Sequence, residues 1–407
     1  MKEISGGVCA PRGFKAGGIC CGIKASSKKR DLALIYSDKP CVACGVFTTN
    51  LVKAASVIVS QSHVARGKLR AIIANSGNAN ACTGEPGIIA AAKMAGLAAD
   101  LFAIPDEQVA VASTGVIGVP LPIAAIESNI SSLADSLSGD EAGHAAALEA
   151  IMTTDQRKKD GAVEVEIGDK TVRIGAMAKG SGRIHPNMAT MLCFITTDAD
   201  ISNELLNKAL VRAVNRSFNR ITVDGNTSTN DTVIIMASSE AQNIPIVEEG
   251  ENYEIFAEAL EKLCVKLAKA IARDGEGATK LLTVRVVGTS NNDEAVKFAR
   301  TVASSSLVKA ACFGADANWG IVLCALGYVG IYFEPSEVNM AFASPAGEFP
   351  VCKGGMPLRF SEEEAKRVLS EEEIEIRIKI GFGPGKAEVW GCDLTYDYIK
   401  IIGGYRS

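Results

Sequence analysis

The segment from Lys179 to Leu192, KGSGRIHPNMATML, holds the residue types best suited to chemistry. A Thr hydroxyl is a poor nucleophile unless a base lies beside it, and the α-amine of the same residue can be that base. Scission of the Ala189-Thr190 bond would give Thr190 such an amine, with an ordinary pKa of about 7.7–8, within reach of its own hydroxyl. Gly180 and Gly182 permit backbone angles closed to other residues, and Pro186 fixes its own φ while biasing His185 towards an extended form. Such a turn could hold a strained peptide. Beyond Thr190, the residues Met191, Leu192, Cys193, Phe194 and Ile195 form an unbroken apolar run, the pattern of a strand buried on both faces. A nucleophile opening a central strand would be held accurately. The same residues also fit a glycine turn feeding an ordinary core strand, with Thr190 merely its first residue.

KGSGRIHPNMATML resembles the cleavage-site signature of the ornithine acetyltransferases, also called glutamate N-acetyltransferases, of arginine biosynthesis. Further blocks resemble that family in its own order across nearly the whole chain. They are Phe47-Thr48-Thr49-Asn50, the run from Ala74 to Gly84, Ser113 to Gly118, Ile151 to Asp155, Thr222 to Gly225, Gly275 to Lys280, Asn318-Trp319-Gly320 and Trp390 to Tyr398. The resemblance favours the self-cleaving reading of Thr190. It implies a layered α/β sandwich in which two fragments, 1–189 and 190–407, are interwoven around common sheets. Element grouping adds a smaller lobe from about residue 281.

Acyl transfer passes through a tetrahedral oxyanion, so donors must face that oxygen. Ser113-Thr114-Gly115 follows a predicted strand, and local sequence alone reads it as a simple strand-ending turn. By resemblance, the Thr114 hydroxyl and the Gly115 amide form the oxyanion hole. The resemblance also places substrate-binding groups at Thr153, Lys179, Thr190 and Glu276, with Thr154 as a one-position alternative to Thr153. Lys179 is a cation suited to an amino-acid carboxylate, and Glu276 a carboxylate suited to the ornithine ammonium. The terminal hydroxyl of the family pattern is kept as Ser407, whereas Ile402 stands where the family has a substrate-binding Asn. Arg183, Asn226 and Ile321 also depart from the residues expected there.

The implied mechanism is ping-pong. Thr190 takes acetyl from N-acetylornithine, ornithine leaves, and glutamate accepts the acetyl group. No cofactor or metal is implied, although acetyl-coenzyme A is a second donor in some members of the family. A self-processing Thr-nucleophile hydrolase of the aminopeptidase kind is the rival enzyme, and an inactive amino-acid-binding homologue the rival from another class. The expected partners are small amino acids, the two fragments of the chain itself and further copies in a homo-oligomer.

The elements that must position these groups alternate between strand and helix. Val57-Ile58-Val59, Ala71 to Ala74 and Val109 to Ala112 read as short strands, and Ile88 to Phe102 as a helix. Val163 to Ile174 reads as a hairpin turning at Gly168-Asp169, Asn203 to Phe218 as a helix capped by Ser202, and Tyr253 to Ala272 as a longer one. Leu281 to Val287 and Glu373 to Ile380 read as strands, Asp293 to Ser304 as a helix, and Trp319 to Phe333 as a buried segment too short to span a bilayer. The chain has 407 residues, 42 basic against 47 acidic, and no basic cluster that would suggest a nucleic-acid face. Its amino terminus lacks the apolar run of a signal peptide, so a cytosolic protein with reduced thiols at its twelve cysteines is expected. Cys41-Val42-Ala43-Cys44 is the sole Cys-x-x-Cys, without the second ligand pair a zinc site needs.

Overall fold

A computed structural model describes residues 1–24, 28–184 and 191–404. Among these, nine strands form one sheet. Its order is Lys2–Ile4, Lys159–Ile167, Lys170–Lys179, Leu192–Thr197, Thr232–Ala237, Leu32–Phe47, Lys68–Asn78 and Val109–Val116, and Phe14–Ile19 pairs with the first part of Leu32–Phe47. Leu192–Thr197 is interior, antiparallel to Lys170–Lys179 and parallel to Thr232–Ala237. All six of its residues are buried.

Alternation along that strand serves two cores. Cys193 and Ile195 face a core made with the helices Asn203–Arg216 and Glu251–Arg273. Leu192 and Phe194 face the opposite side, where Ala147, Leu148 and Ile151 of the helix Glu141–Ile151 pack. Two packed faces explain why Leu192 to Ile195 carries no polar residue, and the buried Thr196 and Thr197 that follow bond backbone carbonyls, Val8 O and Arg173 O. Ser202 accepts a hydrogen bond from Leu205 N and so caps Asn203–Arg216, whose Leu206, Ala209, Leu210 and Ala213 recur at helical spacing. Within 281–392 a six-stranded sheet carries its own core, with Leu282, Val284, Ile376 and Val389 against Phe298, Val302 and Leu326. Helices thus flank sheets throughout, in the layered α/β arrangement. No described helix is long and apolar enough to cross a membrane.

Two expectations fail locally. Val57-Ile58-Val59 lies inside the helix Ala55–Val64, not a strand. Three apolar residues cannot separate the two periodicities, and it is Ser56 and Ser60 that complete the buried helical face, Ser60 Oγ both donating to Val111 O and accepting from Val111 N. Trp319 to Phe333 is only partly core. The helix Trp319–Gly327 buries Val322, Ala325 and Leu326, whereas Tyr328 and Tyr332 are exposed.

Candidate active site

Strand pairing sets the frame. Lys179 pairs with Leu192, so the last residue of one strand and the first of the next lie side by side at the same end of the sheet. The departing side is pinned through its backbone. Gly180 N donates to Asp155 Oδ1 at 2.8 Å, Ser181 Oγ to Asp274 O at 2.7 Å, and Ile184 N to Asp224 Oδ1 at 3.0 Å. Arg183 N also donates to Asp224, from a left-handed backbone with φ 55°. On the returning side Met191 N donates to Asp231 Oδ1 at 3.0 Å, and Met191 O accepts from Thr232 N. Ala189 and Thr190 of the expected cleavage site, and the expected substrate contact Ser407, lie outside the described residues.

The remaining candidates meet. Thr114, Gly115, Thr153, Lys179 and Glu276 line one solvent-open cavity, joined by Thr154, Gly182, Arg183, Ser228, Asn230, Ala79 and Ile402. Asn230 ties the parts together, its Nδ2 donating to Ala79 O at 2.7 Å and to Ser113 O at 2.8 Å. That clamp fixes the end of Val109–Val116 beside the start of Thr232–Ala237.

Thr114 is buried at the edge of this space, and Lys179 Nζ donates to its Oγ1 at 3.4 Å. Because the lysine supplies that proton, the Thr114 hydroxyl keeps its own to donate elsewhere. Gly115 sits at φ 138°, and a Cβ there would lie 2.3 Å from Gly77 C and 2.5 Å from Asn78 N. Both obstacles are backbone, so neither can swing away. Gly115→Ala should therefore cost more than about 1 kcal/mol and displace the Gly115 amide. Thermal unfolding and kcat measured together check this, and an equally stable, fully active variant would contradict it.

Burial shapes the charges. Lys179 is 3 % exposed; burial pushes its ammonium below the usual lysine range, against the opposing pull of Asp155 Oδ2 at 3.9 Å. Burial likewise raises the Glu276 carboxyl, which the Thr154 hydroxyl bond at 3.0 Å opposes and the Asp224 charge reinforces. Glu276 Oε2 is buried with no partner among the described residues. Gly182 leaves room for it, since a Cβ there would lie 2.4 Å from that oxygen. Thus Thr154, not Thr153, bonds Glu276, while Thr153 N donates to Asp155 Oδ2 at 3.0 Å and Thr153 also faces the cavity.

Sequence reading singled out none of Asp155, Lys159, Asp274, Asp224, Asp231, Ser228 or Asn230. Asp155 closes the Ile151 to Asp155 block and Asp224 lies within Thr222 to Gly225, so a search of those blocks for carboxylates would have found them. Lys159 and Asp274, 115 positions apart, carry no local signal. Among the described residues no group of three or more His, Cys, Asp or Glu could hold a metal ion. Burial pushes the Cys44 thiol up to about 12, so it is protonated at neutral pH.

Comparison with known proteins gives consistent matches. The ArgJ family model matches residues 15–407. The arginine biosynthesis bifunctional protein ArgJ of Symbiobacterium thermophilum is 52% identical over 408 residues, covering 100% of both chains. The arginine biosynthesis bifunctional protein ArgJ 1 of Clostridium acetobutylicum is 49% identical, covering 97% of this chain and 96% of its own. A crystal structure of arginine biosynthesis bifunctional protein ArgJ from Bacillus halodurans aligns with a TM-score of 0.50 and 46% identity, over 52% of this chain and 98% of that one.

Proposed function

The chain belongs to the ArgJ family, and on that premise we propose that it transfers acetyl from N2-acetylornithine to glutamate through an ester on Thr190, after its own backbone breaks at Ala189-Thr190. The observation that carries the reading is one cavity that collects the Thr114 hydroxyl, the Gly115 backbone, the buried Lys179 ammonium and a Glu276 oxygen without a partner. Met191, the residue covalently following Thr190, is anchored to Asp231 at the head of the interior strand.

In the first half-reaction the Thr190 hydroxyl adds to the acetyl carbonyl while its α-amine takes the proton. The Thr114 O–H and the Gly115 N–H donate to the resulting oxyanion, which collapses to the acetyl ester and releases the ornithine α-amine with a proton. The glutamate α-amine then attacks the ester through the same oxyanion and restores the Thr190 hydroxyl. Lys179 serves the α-carboxylate that both amino acids share, with Thr153 at the same wall and Ser407 as a terminal contact. Glu276 serves the side-chain end. A carboxyl that burial raises can stay ionised beside the ornithine ammonium and take up a proton beside the glutamate carboxylate.

Glu276→Gln should therefore raise KM for N2-acetylornithine about 10–100-fold, the scale of a lost charge-assisted hydrogen bond, with a smaller effect on glutamate. Separate KM determinations test this, and equal effects on the two substrates would contradict it. The route uses no cofactor. Acetyl-coenzyme A is the proposed second donor to Thr190, in keeping with the word bifunctional in the relatives' names. A solved relative whose whole chain answers to about half of this one agrees with a cut near the middle. Fragments 1–189 and 190–407 then stay together through the shared sheet, in which Lys170–Lys179 and Leu192–Thr197 are neighbours. Cleaved protomers form the proposed homo-oligomer.

A further inference from the structure

Behind the cavity wall four buried charges alternate in sign. Lys159 Nζ donates to Asp274 Oδ2 at 2.5 Å, to Asp155 Oδ1 at 2.6 Å and to Arg157 O at 3.1 Å, which uses all three of its protons. Asp155 is equally committed. Its Oδ1 accepts from Lys159 and Gly180 N, and its Oδ2 accepts from Thr153 N and lies 3.9 Å from Lys179 Nζ. Asp274 Oδ2 also accepts from Gln156 N and Arg157 N, and Asp274 O accepts from Ser181 Oγ. The side chains of Asp155 and Lys159 are fully buried.

The row runs Asp274, Lys159, Asp155, Lys179, and only its last member reaches the cavity. We propose that Asp155 is a positioning residue for the reaction, held by Lys159, which keeps the Lys179 ammonium charged and aimed at the substrate while fixing the loops that carry Thr153, Gly180 and Glu276. A buried ammonium without a counterion sheds its proton to escape the cost of desolvation. Lys179 is under that pressure, and Asp155 is the strongest group acting against it. The charges facing Lys179 are Asp155, Lys159, Arg183 and Glu276, and Lys179 in turn acts on Lys24 and Asp231. Burial raises the Asp155 carboxyl, but Lys179 and Lys159 outweigh this and leave it well below the usual range, so it stays ionised at any pH of interest. The row also crosses the proposed cut, since Asp274 belongs to the second fragment and the other three to the first.

The catalytic part of the proposal rests on the acyl-transfer reading, whereas the protonation part does not. Competitive labelling of amines with acetic anhydride across pH, read by peptide mass spectrometry, gives the titration midpoint of Lys179 without any activity. In the unaltered protein that midpoint must lie above the pH of maximal kcat/KM; a lower one overturns the proposal before any variant is made. In Asp155→Asn the lost carboxylate lowers the Lys179 midpoint by about one unit or more, a tenfold change in its protonation constant. The alkaline limb of kcat/KM falls by the same amount, and Asp155→Glu restores both. An unmoved midpoint in folded Asp155→Asn, or a moved midpoint with an unmoved limb, overturns it. Failure of the unaltered protein to transfer acetyl would instead count against the reading of function, with the labelling result unaffected.

Discussion

Thr190→Ala should leave a single chain of 407 residues and reduce acetyl transfer on the order of 10⁴-fold or more, the scale on which deleting a nucleophile acts. The same hydroxyl is asked to act twice. In processing it adds to the Ala189 carbonyl carbon, the C–N bond breaks as the Thr190 nitrogen gains a proton, and water hydrolyses the resulting ester. In turnover it attacks the acetyl group with that freed amine as base. Alanine removes the attacking oxygen from both steps, so gel mobility and activity must change together. Thr190→Ser keeps a hydroxyl beside an amine and should retain both, more slowly. An Ala variant that is cleaved, or uncleaved yet active, would separate the two roles and contradict the account.

Thr114→Val should lower kcat about 10²–10³-fold with little change in KM. The substitution nearly conserves shape at a buried position, so the strand Val109–Val116 and its pairing with Lys68–Asn78 should persist. What disappears is an O–H donor whose proton is free because Lys179 supplies its own to the Thr114 oxygen. The donor matters where negative charge develops in the transition state, and much less to bound substrate, which is why kcat carries the loss. Steady-state kinetics on fully processed protein checks this. A fall in kcat below about threefold would remove Thr114 from the oxyanion site, since even a modest donor is worth more than that.

Much of this site was legible because its chemistry sits in short contiguous blocks. The glycine turn and the apolar strand after Thr190 can be read from neighbouring residues. Thr114, Gly115, Thr153, Lys179 and Glu276 are marked out instead by the resemblance of their blocks to a known family, and these five line one cavity. Glu276 shows where local reading stops. Its place between Gly275 and Gly277 just past a helix carries no sign of burial, yet Gly182, almost a hundred positions earlier, leaves the space in which its Oε2 is buried. The ionic row is less visible still. Nothing near Lys159 announces that its partner Asp274 lies beyond the end of a helix in the other half of the chain. Buried charges of this kind are specified by long-range packing, which periodicity cannot report. The opposite error at Val57-Ile58-Val59 has a simpler origin, since three apolar residues fit either periodicity and the buried helical face is completed by the polar Ser56 and Ser60, the latter bonded to Val111.

The most direct test combines amino-terminal sequencing with intact mass spectrometry of active protein incubated with N2-acetylornithine in the absence of glutamate. The account predicts a second fragment that starts at Thr190, becomes heavier by one acetyl group on that residue, and loses it when glutamate is added. Fully active protein with no threonine start, or an acetyl group carried stably on some other residue, would contradict it.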